Sequence, residues 1–130
     1  MFCGTARNQT KRHIVLPDSK LIGCKASDCS HLWQDASADG VPIYPQNLNI
    51  DIENGAVLGI VAHYEKSVST DELRDAINGL YAKWIFIDPK NLPVWRVEPE
   101  RIAIQLSVED NGMKEVIYLS ANARRKRSAP

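Results

Sequence analysis

Residues 68–84 constrain this chain more than any other stretch. Leu73, Ala76, Ile77, Leu80, Tyr81 and Trp84 recur at i, i+3, i+4, i+7, i+8 and i+11. That spacing draws one apolar stripe along a helix of 3.6 residues per turn. A start signal precedes it. Ser69 can accept from the Glu72 amide while the Glu72 carboxylate reaches back to the Ser69 amide, a capping box. Val68 and Leu73 hold the two positions of a hydrophobic staple, and Asp71 and Glu72 suit the positive end of the helix dipole. Gly79 weakens the helix by about 1 kcal/mol relative to alanine but permits close approach to a neighbour. Pro89 and Pro93 bar continuation. A helix over 69–84 with one oily side requires a surface to cover.

The flanking segments supply one. Leu48, Ile50 and Ile52 alternate with Asn49, Asp51 and Glu53, the period of a half-buried strand. Asn54-Gly55 follows, then a run from Ala56 to Tyr64 that is apolar on both faces for most of its length. Asn-Gly between two such runs marks a hairpin, because a type I′ turn needs positive φ at both positions. The second run is therefore expected at the centre of the sheet. Beyond the helix, Trp95-Arg96-Val97 reads as a short strand ending before Pro99. Ile102, Ile104, Leu106 and Val108 then alternate with Ala103, Gln105, Ser107 and Glu109. Asn111-Gly112 turns the chain into a last strand, Met113–Leu119. The expected fold is α+β: a mostly antiparallel sheet with a ββαββ core and one amphipathic helix on one face.

The N-terminal part is an irregular extension to this core. Residues 1–12 are polar and basic and read as a flexible arm. His13–Leu16 is strand-like and stops at Pro17, and Leu21-Ile22 resembles a second short strand. Residues 24–47 are rich in turn formers, and Pro42 and Pro45 exclude a central strand. The organisation expected is an arm (1–12), one domain (13–120) and a disordered basic tail (121–130). The chain's 130 residues suit a single domain with an adequate core. Sixteen basic residues balance sixteen acidic ones, so the basic excess of a dedicated nucleic-acid binder is missing. No run of 18 apolar residues suggests a membrane span.

Few residues carry chemistry. Cys24 and Cys29 enclose a four-residue loop that a disulfide can close, which implies an oxidising compartment. Two unpaired thiols in a reducing cytoplasm is the alternative. Cys3 is left over. The opening Met-Phe-Cys-Gly-Thr lacks the apolar stretch of a signal peptide, yet Cys-Gly-Thr resembles the first mature residues of a bacterial lipoprotein. Cys24, Cys29, His31 and His13 form a conceivable zinc set, but C-x4-C-x-H is no standard finger spacing, and no metal or cofactor is expected. His63 reads as an ordinary strand histidine, and the cap accounts for Asp71 and Glu72. Phosphate loops, G-x-S-x-G and H-E-x-x-H motifs are absent from the sequence.

The function expected is a binding or accessory domain, bacterial, exported to the periplasm or beyond, and non-enzymatic. Its partner is another protein or the cell envelope. Contacts are expected at Trp33 and at Arg124, Arg125, Lys126 and Arg127. Two rivals stand beside it. One is a small thiol-dependent or hydrolytic enzyme using Cys29 and His31. The other is a nucleic-acid-associated domain using the basic tail.

Overall fold

The structure is a computed structural model that describes residues 12–25, 33–34, 39–81, 84–86, 93–97 and 101–120. Its strands are β1 (Arg12–Ile14), β2 (Val41–Ile43), β3 (Asn47–Glu53), β4 (Ala56–Tyr64), β5 (Trp84–Phe86), β6 (Pro93–Val97), β7 (Ile102–Val108) and β8 (Lys114–Ser120), and one helix, α1 (Thr70–Leu80), follows β4. Six strands form an antiparallel sheet in the order β3-β4-β8-β7-β6-β5, while β1 and β2 pair in parallel as a separate ribbon. Pro42 lies in that ribbon rather than inside the main sheet, as its missing N–H demands.

The α+β character and the antiparallel sheet match the sequence reading, but the strand count does not. The helix is followed by four strands rather than the two of a ββαββ core. Its end also differs. α1 stops at Leu80, with Tyr81 as an extended C-cap, and Trp84 starts β5 instead of closing the helix. Trp84-Ile85-Phe86 is aromatic and β-branched, a composition that favours strands. It pairs in register with Trp95, Val94 and Pro93 of β6. Sheet pairing wins over the last turn of a helix already weakened by Gly79.

One sheet face carries the core. Ile60, Ala62 and Tyr64 of β4, Ile104 and Leu106 of β7, Val116 and Tyr118 of β8 and Trp95 of β6 are buried there. They meet Leu73 and Ile77 of α1 and the staple residue Val68, all fully buried. Each buried valine, leucine or isoleucine among them contributes roughly 1.5–3 kcal/mol through burial. The Trp95 indole N–H donates to Asn78 Oδ1 at 2.7 Å, tying β6 to the helix. Ser69 and Glu72 form the expected capping box, both bonds at 3.0 Å.

The N-terminal segment completes the layer over this face. Leu16 and Leu21 join the core. Two buried phenols fasten the backbone: Tyr64 donates to the Val15 carbonyl at 2.6 Å and Tyr118 to the Pro17 carbonyl at 2.9 Å. Arg12, assigned to the arm by sequence, instead belongs to β1. Its guanidinium grips the Glu72 carboxylate with two bonds, 2.9 and 2.8 Å.

The two hairpins differ in their turns. Asn54 and Gly55 both have positive φ, 54° and 78°, the type I′ geometry expected. At the second, only Gly112 is positive, at 90°. Glu109 N–H donates to Met113 O and Gly112 N–H to Glu109 O. This is a three-residue loop with a glycine bulge rather than a tight Asn-Gly turn.

Candidate functional site

The sheet face opposite α1 gathers three side chains with metal-binding chemistry. Strand alternation puts His63 on that face, because its neighbours Ala62 and Tyr64 point into the core. The β4–β8 register sets His63 opposite Glu115, and the β7–β8 register sets Glu115 opposite Ser107. Glu109, two residues past Ser107, falls on the same face where the bulged loop begins. The result is a compact group. His63 Nδ1 lies 3.0 Å from Glu109 Oε2 and 3.6 Å from Glu115 Oε2. The three prospective ligand atoms all lie within 4.8 Å of one another.

The group is sheltered but reachable, with side-chain exposures of 16% for His63, 28% for Glu109 and 23% for Glu115. Across the sheet, Asn49 of β3 contacts His63 Nε2 at 3.2 Å. This contact orients the ring, as outer partners of ligating histidines do. With Asn49 donating through its amide nitrogen, Nδ1 keeps the proton and donates to Glu109. A cation at Nδ1 displaces that proton to Nε2, and Asn49 suits the new tautomer by presenting Oδ1. Neighbouring Lys114 does not neutralise the carboxylates, because its ammonium donates to the Lys66 carbonyl at 2.8 Å. One imidazole nitrogen and two carboxylates suit a borderline first-row divalent ion and leave coordination positions open.

The sites read from sequence fare differently. Cys24 is half-buried after the 3-10 turn Ser19–Leu21. No disulfide joins two described residues, since Cys3 and Cys29 lie outside them. The pairing expected of Cys24 with Cys29 therefore falls outside the described residues. His31 and the tail residues Arg124, Arg125, Lys126 and Arg127 also lie outside the described residues. Trp33 is half-buried and meets Tyr44 edge to face, ring centres 5.2 Å apart. His13 has both ring nitrogens buried without a hydrogen-bond partner, and it takes no part in the His63 group.

Sequence reasoning missed that group, though half of it was in view. Alternation already placed Glu109 outward. What it lacked was the register across the second hairpin, which brings Glu115 level with Ser107 and hence beside His63.

No protein-family model, curated protein or solved structure matches the chain. The functional reading therefore stands on geometry.

Proposed function

We propose that this chain is an accessory binding module, exported and non-enzymatic, whose ligand is a divalent cation held by His63, Glu109 and Glu115. The observation that carries the reading is the convergence of one imidazole nitrogen and two carboxylate oxygens within 4.8 Å, drawn from two strands and a hairpin loop. Two carboxylates this close repel each other, and a divalent ion bound between them relieves that repulsion. Hydrogen-bonded sheet strands hold His63 and Glu115, so little ordering is needed on binding. The export part of the reading rests on sequence spacing alone: a bridge across the short Cys24–Cys29 loop would persist in an oxidising compartment.

Isothermal titration with zinc as the probe tests this reading, with magnesium and calcium as comparison ions. The expected result is one zinc per chain, with magnesium and calcium weaker. His63→Gln and Glu115→Gln should each weaken zinc binding tenfold or more while circular dichroism is unchanged. Zinc binding that both variants retain in full would place the ion elsewhere and sink the proposal.

A further inference from the structure

The main sheet ends on β3, which pairs with β4 on its inner side and whose outer side pairs with no strand among the described residues. Its seven residues, Asn-Leu-Asn-Ile-Asp-Ile-Glu, include no lysine and no proline, the residues that most often blunt an edge. The β3–β4 ladder does shift between Asp51 and Ile52, but the extra residue there is Leu58 of β4. β3 itself therefore runs on without a break. Ile50 and Ile52, on the α1 side of the sheet, remain 39% and 50% exposed.

We infer that β3 is a homodimer interface, pairing antiparallel with β3 of a second copy about a twofold axis at Ile50. The sequence of the strand is its own complement in that register. Ile50 meets Ile50 of the second copy, and Leu48 meets Ile52. Asp51 meets Asn49 and Glu53 meets Asn47, so no carboxylate directly faces another. A shift that centres the pair on Asp51 sets two aspartates face to face, which is destabilising. A shift that centres it on Asn49 puts Ile52 against the polar Gln46. The charge pattern and the apolar pattern thus select the same register. A closed twofold contact of this kind uses one patch on both copies and leaves neither β3 edge unpaired. It joins two six-stranded sheets into one and covers Ile50 and Ile52.

Sedimentation equilibrium of the full chain across the micromolar range tests the inference. The expected species has twice the chain mass of 14.5 kDa. Ile50→Lys should raise the dimer dissociation constant at least tenfold, and Ile52→Lys, at a more exposed position, should do the same without loss of secondary structure. Register is read separately. On mild oxidation Ile50→Cys should give a covalent dimer beyond the wild-type level, whereas Asn49→Cys, facing Asp51 of the second copy, should not. A monomer at every concentration overturns the inference and leaves the edge to a foreign strand. So does a dimer that both lysine variants leave intact, or one cross-linked equally well from position 49.

Discussion

Arg12 and Glu72 meet across sixty positions of sequence, and their contact sets how the fold responds to acid. The Arg12 side-chain bonds, first, and the Ser69 backbone bond, second, hold the Glu72 carboxyl down to about 2 against an ordinary 4.5. A folded-state value below the unfolded one stabilises the fold above pH 4.5, and that contribution is lost as pH falls from there toward 2. Glu72→Gln keeps the capping bond but removes the charge. It should lower the thermal midpoint at pH 7, and the gap to wild type should close across that window in a pH series of melts. A constant gap down to pH 2 would show that the ion pair contributes nothing. The cap was legible because its two residues lie three apart. The grip by Arg12 was not, since nothing local to either residue announces a partner so distant in the chain.

At the scale of elements, the helix start was readable and the helix stop was not. Ser69, Glu72, Val68 and Leu73 form a local code whose parts touch one another, and all of it holds. Ser69→Ala should therefore cost about 1 kcal/mol, and no more than about 2, measured by urea denaturation. The stop depends on a competitor elsewhere. Leu80 continues the stripe yet is 47% exposed, because the chain leaves to pair β5 with β6. The hairpins show the same division. Asn54-Gly55 encodes its own turn, whereas the second loop is settled by where β7 and β8 align. Its three residues also determine which face Glu115 occupies, because a slip of one residue would turn every β8 side chain to the other side. The His63 group was thus hidden behind register, not behind residue identity.

At the scale of the molecule, the two phenols that hold the N-terminal segment also set its behaviour in alkali. Burial pushes the hydroxyls of Tyr64, Tyr81 and Tyr118 above their ordinary value of 10. A folded-state value raised above the unfolded one preserves stability below pH 10 and loses it as pH climbs beyond. Denaturation midpoints should hold level up to pH 10 and then fall. Tyr118→Phe strands the Pro17 carbonyl and should cost about 1–3 kcal/mol at neutral pH, with a shallower alkaline decline because one titrating group is gone. An alkaline slope identical to wild type would mean that Tyr118 reaches water.

The bond from Tyr118 to Pro17 spans 101 positions. Synthesis proceeds from the N-terminus, so Pro17 leaves the ribosome long before its donor exists. Leu16 likewise belongs to a core that residues of β7 and β8 complete. Closure of so long a loop is slow compared with local helix formation. The N-terminal segment can therefore seal over the core only after the last strand has been made.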